Sequence, residues 1–144
     1  MNGFTIDAAT PLGARTLHRL RVDELAWFTT VGAKSGVPQP VPVWFLWDEK
    51  AGSALIYSKP DVPKLANLRA NPGASLHFDG NGSGGDIAVL TGHAAPSNDP
   101  PSDAVPGYVT KYATGIAENG WTPASLAADY SVALRFTPSR LRGH

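Results

Sequence analysis

The sequence predicts a mainly β fold with helical inserts: a Greek-key-like antiparallel barrel of about six strands, closed or partly closed. Two observations predict it. Short runs of β-branched and aromatic residues recur along the chain, separated by turn residues such as Gly, Pro and Asp. The first runs are joined as hairpins, and two helical stretches interrupt the later ones.

In chain order, Thr10-Pro11 reads as a helix start with proline at the first helical position. Leu17 and Leu20 are spaced for one buried face, which predicts a helix to about Arg21. Leu25–Val31 (LAWFTTV) reads as a strand, and Lys34-Ser35-Gly36 as the turn after it. Gln39–Trp47 (QPVPVWFLW) reads as a second strand. Pro40 and Pro42 bar it from a central ladder, so it starts at an edge or opens toward a cavity. After a turn at Asp48–Gly52, Ala54–Ser58 returns as a third strand. Asp61 is the expected N-cap of a short helix with Val62 and Pro63 in its first turn, and Asn71-Pro72-Gly73 stops it. Ala74–Phe78 and Ile87–Ala95 are expected strands on either side of a flexible tip, Gly80–Gly85. A helix from about Ser102 to Glu118 would carry Val105, Tyr108, Val109, Tyr112 and Ile116 on one face. Thr122-Pro123 opens another to about Tyr130. The last strand is Ser131–Phe136, with Pro138 expected to end it.

The 144 residues suit one domain that can bury a core without staples. There are no cysteines, so disulfides, thiolate metal sites and cysteine nucleophiles are ruled out, and a reducing cytoplasm is the expected compartment. Twelve basic residues balance twelve acidic ones, which leaves no basic footprint for nucleic acid. No apolar run is long enough for a membrane span, and the N-terminus has no signal-peptide core.

The stretch Tyr57–Phe78 (YSKPDVPKLANLRANPGASLHF) brings Ser58, Lys59 and Lys64 close to the free N–H groups of a helix start. A hydroxyl, two ammonium groups and such N–H groups suit a phosphate. The same residues also suit a solvated helix start with surface lysines. Elsewhere the chemistry is sparse. His18, His77, His93 and His144 share no metal-ligand spacing. GNGSGG lacks a lysine-serine ending and a following helix, so it reads as a loop. Trp27, Trp44, Trp47 and Trp121 read as core or dimer contacts, and Trp44 as a wall for a flat aromatic cofactor. No acid–base pair or nucleophile stands out. An enzyme of this sequence would leave the hard chemistry to a cofactor, and hydride transfer between stacked rings fits.

Taken together, WFTTV, QPVPVWFLWD, SKPDVPKLANLRANP, DIAVLTGHA and YSVALRFTPSR resemble the pyridoxamine 5′-phosphate oxidase-like split β-barrel superfamily, from about Leu20 to Arg142. Within it the chain is similar to the branch of deazaflavin-dependent reductases that use coenzyme F420. The resemblance implies a homodimer with two cofactor sites at its interface. It implies that Ser58, Lys59 and Lys64 hold the cofactor phosphate, and that Asn67 supports that corner or reaches the cofactor chain. The backbone of Pro42, Val43 and Trp44 would lie against the tricyclic ring. The helix with Lys111 and Tyr112 would contribute at the interface. Arg135, Arg140 and Arg142 would meet a polyglutamate tail or form a plain basic C-terminus. Two departures bear on the phosphate grip. Some relatives place an arginine where this chain has Ser58-Lys59-Pro60, and lysine offers no bidentate fork. Pro60 also fixes the turn and would move the Lys59 ammonium. FMN shares the ring-plus-phosphate outline. A third expectation is a non-catalytic protein that binds a flavin, deazaflavin or haem, where His77 or His93 would have to serve as the axial ligand. The acceptor would be a small organic molecule, with no nucleic-acid or membrane partner.

Overall fold

The structure, a computed structural model, describes residues 3–144. Its strands are β1 (Ala26–Val31), β2 (Pro38–Val43), β3 (Leu46–Asp48), β4 (Ser53–Ser58), β5 (Gly73–His77), β6 (Ala88–Pro96) and β7 (Val132–Gly143). They form one antiparallel sheet in the order β2-β1-β5-β6-β7-β4-β3. The two outer strands, β2 and β3, are consecutive in the chain with only Trp44 and Phe45 between them. Such a link reaches about 10 Å. The two edges of the sheet therefore meet at one corner, and the sheet has to roll into a partly closed barrel.

That corner explains why Gln39–Trp47 is two strands and why the sheet has seven. Val43 ends the pairing with β1 opposite Ala26, and Leu46 starts a new pairing with Leu55. The prolines had placed this segment at an edge, and it supplies both edges.

The helices are α1 (Pro11–Val22), α2 (Pro63–Ala70), α3 (Pro106–Glu118) and α4 (Pro123–Asp129). Each opens on a proline, and each preceding residue is extended, as the proline ring demands. Thr10 and Thr122 also cap with their hydroxyls, accepting from Gly13 and Ser125 N–H. This rule corrects two expectations. Asp61 is not the cap of α2: Pro63 holds Val62 extended, and Val62 is the cap without a side-chain bond. The 102–118 helix is likewise interrupted. Ser102–Ala104 is one 3₁₀ turn, Val105 is extended before Pro106, and the α-helix begins there.

Pro138 does not end the last strand. β7 runs on to Gly143 along β6, with a register shift at Thr91/Gly92 opposite Pro138. β4 pairs with β7 only as far as Phe136, so beyond that point β7 has no ladder on its other side. A bulge next to an unpaired flank is where a sheet tolerates proline.

The barrel interior is filled by Phe28, Phe45, Ile56, Leu76, Leu90, Leu134 and Phe136, closed below by Leu17 and Leu20 of α1 and Leu65 and Leu68 of α2. A second apolar cluster lies on the outer face of β4 and β7. There Leu55, Tyr57 and Ala133 pack under Tyr108, Tyr112 and Ile116 of α3 and Leu126 of α4. β4 is thus buried on both faces, which accounts for its unbroken SALIY run. Val105 and Val109 are only half-buried. No helix among the described residues is long and apolar enough to cross a membrane.

Candidate functional site

A cleft of about 360 Å³ opens where the β2–β3 corner meets α2, α3 and α4. Leu25, Pro42, Val43 and Trp44 form one wall. Tyr57 and Lys64 come from β4 and α2. Tyr108, Asn119 and Trp121 come from α3 and its end, and Leu126 and Tyr130 from α4. The volume lies within the range of small-molecule sites, roughly 300–1,000 Å³. No carboxylate among the described residues lines it.

The corner itself is pinned by α3. The Tyr112 hydroxyl accepts from Phe45 N–H at 2.8 Å and donates to Glu24 carbonyl at 2.6 Å. Lys111 Nζ donates to Phe45 carbonyl at 2.7 Å and stands 3.7 Å over the Phe45 ring. The link between the two outer strands is therefore held by α3 side chains, which also tie it to the segment before β1. Trp44 lies flat on Tyr112, centroids 4.3 Å apart and planes 6° apart, with Trp121 edge-on at 6.0 Å. This stack gives the cleft a rigid aromatic wall. Burial draws Lys111 down to about 8, with Asp23 and Glu24 opposing the shift.

Lys64 lines the cleft near the start of α2. Burial lowers its pKa, and no ion pair or hydrogen bond to its ammonium occurs among the described residues. Lys59 is exposed, and its Nζ lies 5.5 Å over the ring of Tyr130, another cleft residue. Lys59 itself is not among the residues that line the cleft. Ser58 is buried, and its hydroxyl donates to Lys59 carbonyl at 2.9 Å. It does not line the cleft. Asn67 is 4% exposed, and its amide is fully engaged. It accepts from Ala33 N–H at 2.9 Å and donates to Thr30 Oγ1 at 3.0 Å and Gln39 Oε1 at 2.8 Å. Asn67 therefore ties α2 to β1 and β2.

The structure brings Pro42, Val43, Trp44 and Lys64 together, with Lys59 at the rim and Ser58 and Asn67 behind them. Arg135 is elsewhere. It makes ion pairs with Asp48 and Asp99 and donates to Ser53 Oγ, and those contacts hold the Asp99 carboxyl down at about 2. Arg140 and Arg142 pair with β6 opposite Thr91 and Val89 and do not line the cleft. Neither His77 nor His93 lines it, and no metal-binding cluster occurs among the described residues.

Sequence reading missed Leu25, Tyr57, Tyr108, Asn119, Leu126 and Tyr130 as cleft residues. Tyr108 carried the spacing of a buried helix face, and nothing in the sequence marks where its hydroxyl emerges.

The donor set fits a phosphate-bearing flat cofactor: a desolvated, unpaired ammonium at one end, aromatic and backbone surface along the wall, and no competing carboxylate.

No curated protein sequence matches the chain. Solved structures do. A conserved hypothetical protein from Mycobacterium tuberculosis superposes with TM-score 0.68 at 18% identity, covering 90% of this chain and 81% of that one. An F420 reductase gives TM-score 0.61 at 17% identity, covering 87% and 94%. A haem-storage protein from Vibrio cholerae gives 0.59 at 14% identity, covering 89% and 92%. At these identities the likeness is one of fold, and the neighbours' differing names show that one barrel serves several roles. The profile of the pyridoxamine 5′-phosphate oxidase family matches residues 14–144, nearly the whole chain, and the chain belongs to that family.

Proposed function

We propose that the protein is an oxidoreductase that uses reduced coenzyme F420 to reduce a small organic acceptor. The observation that carries this reading is Lys64: a half-buried ammonium with no partner among the described residues, at the end of an aromatic cleft. A buried charge without a partner is costly, so its presence points to an anionic ligand that completes it. The cofactor phosphate is that anion, with Lys59 adding charge at the rim. Pro42, Val43 and Trp44 present the surface for the ring, and Tyr112 and Lys111 hold that backbone still. When bound, the deazaflavin supplies a hydride at its C5. The chain's part is to bind, orient and exclude water, which the stacked Trp44–Tyr112–Trp121 wall supports.

FMN is the second reading, and one observation favours it. Arg135 is committed to Asp48 and Asp99, and Arg140 and Arg142 lie off the cleft, so none of these three arginines stands at the site to meet a polyglutamate tail. Haem storage has less support, because no histidine lines the cleft. The test is equilibrium titration of the purified protein with F420 and FMN, read by fluorescence quenching. Tighter binding of F420 supports the first reading, and equal or tighter FMN binding the second. Binding of neither would remove the oxidoreductase reading.

A further inference from the structure

The walls of the cleft are not equally held. Tyr112 and Lys111 pin the β2–β3 corner to α3, and Asn67 ties α2 to β1 and β2. Tyr57 belongs to β4 within the sheet, and its hydroxyl donates to Pro100 carbonyl at 2.6 Å. α4 is the exception. It gives the cleft Leu126 and, at its C-cap, Tyr130. Its capping hydrogen bonds join Thr122 to Ser125, and among the described residues no hydrogen bond or ion pair ties α4 to another element. Only Leu126 and Ala127 of α4 are buried; Pro123, Ala124, Ser125, Ala128 and Asp129 are exposed. The joint between α3 and α4 is Gly120, at φ 73°, where a side chain would meet open space. Glycine takes that conformation without strain, and such a joint can turn. At the other end of α4, Lys59 Nζ lies 5.5 Å over the Tyr130 ring.

We propose that α4 is the gate of the cleft: it turns about Gly120 to admit a flat, phosphate-bearing ligand, and Lys59 over Tyr130 latches it shut. The identity of that ligand rests on the oxidoreductase reading; the hinge and the latch do not. The gate reconciles two demands on the site. The stacked Trp44–Tyr112–Trp121 wall is packed too well to yield, yet a ring has to pass into a cleft that then excludes water. The wall without hydrogen bonds is the one that can move aside. A single cation–π contact is weak enough to break and re-form at each passage.

The test is hydrogen–deuterium exchange of the full-length protein, read by mass spectrometry over residues 124–130 and 108–118. A seven-residue helix has little stability of its own, so its amides exchange whenever the gate leaves the core. In the free protein, residues 124–130 should exchange about ten-fold faster than 108–118, or more. Lys59→Met keeps the aliphatic stem and removes the ammonium. It should speed exchange of 124–130 about three-fold and leave 108–118 unchanged. Lys50→Met, in the exposed β3–β4 turn, should change neither. Saturation with F420 or FMN, whichever binds in the titration, should slow 124–130 about ten-fold or more. One common rate for the two stretches in the free protein, unchanged exchange in Lys59→Met, or a cofactor that binds without slowing 124–130 would each overturn the gate. A protein that binds neither cofactor overturns the oxidoreductase reading instead, and exchange in the free protein then decides the gate alone.

Discussion

Lys64 and Asn67, three positions apart on α2, divide the labour of one motif. Lys64 is desolvated and unpaired, a cost to the ligand-free fold. Replacing it with Met keeps the aliphatic stem and removes the charge. Lys64→Met is expected to leave the free protein as stable as wild type or more so, while cofactor affinity falls about ten- to hundred-fold, the worth of a charge-assisted hydrogen bond. Lys50→Ala, in the exposed β3–β4 turn, is the control and should bind normally. Unchanged affinity in Lys64→Met would return this corner to a solvated helix start. Asn67 shows the opposite pattern. Asn67→Ala leaves the Thr30 hydroxyl and Ala33 N–H without their partner, and about 2 kcal/mol of stability should be lost in denaturant titration. The lysine, the asparagine and their spacing were legible in the sequence. That one faces the cleft and the other the barrel was not, because three residues round a helix is close to one full turn and spacing alone does not separate the two directions.

At the scale of elements, α3 is the strut of the site. Gly115 faces Trp44, and a Cβ there would stand 3.1 Å from two carbons of the indole. Trp44 has little freedom to withdraw, being flat against Tyr112 and edge-on to Trp121. Helix propensity alone favours Gly115→Ala by about 1 kcal/mol. The contact should reverse the sign, so Gly115→Ala should lower the melting temperature and weaken ligand binding together. A higher melting temperature with normal binding would show that the wall is soft. Lys111 gives the same strut a pH dependence. Its folded pKa, about 8, lies below the ordinary lysine value of 10.5, so between them the unfolded chain binds more protons. Stability from this group therefore rises as pH rises through that window. Below about 8 both states are protonated and the burial cost is borne in full. Melting temperatures from pH 7 to 10 should climb more steeply in wild type than in Lys111→Met; parallel curves would contradict this. The starts of α1, α2 and α4 were legible as residue-proline pairs, though the cap of α2 was misread, while the start of α3 at Pro106 was placed four residues early. The corner at Trp44–Phe45 was not, because P-V-P-V-W-F-L-W is apolar throughout and the break is set by the closing of the barrel and the Tyr112 and Lys111 bonds from 66 and more positions away.

For the whole molecule, the question is how a sheet with two open edges avoids unlimited pairing. Along β2 the N–H groups point alternately toward β1 and away from it. Pairing with β1 runs through all of Pro38–Val43, and the donors available to it are Gln39, Val41 and Val43. Pro38, Pro40 and Pro42 hold the other alternate positions, so the free edge of β2 carries carbonyls and no N–H. Another strand cannot dock there as a full ladder. We propose that the homodimer implied by the family resemblance associates through side-chain surfaces rather than the β2 edge, with the exposed Val22, Leu25 and Val37 available for that role, at 54%, 42% and 55% accessibility. Leu25 also borders the cleft, so such a surface would sit beside the site. Sedimentation at micromolar concentration should show a dimer, and Pro40→Val, which restores one outward N–H, should add larger species without removing the dimer. A stable wild-type monomer would end the proposed dimer, and a Pro40→Val variant that sediments like wild type would show that the prolines do not guard this edge.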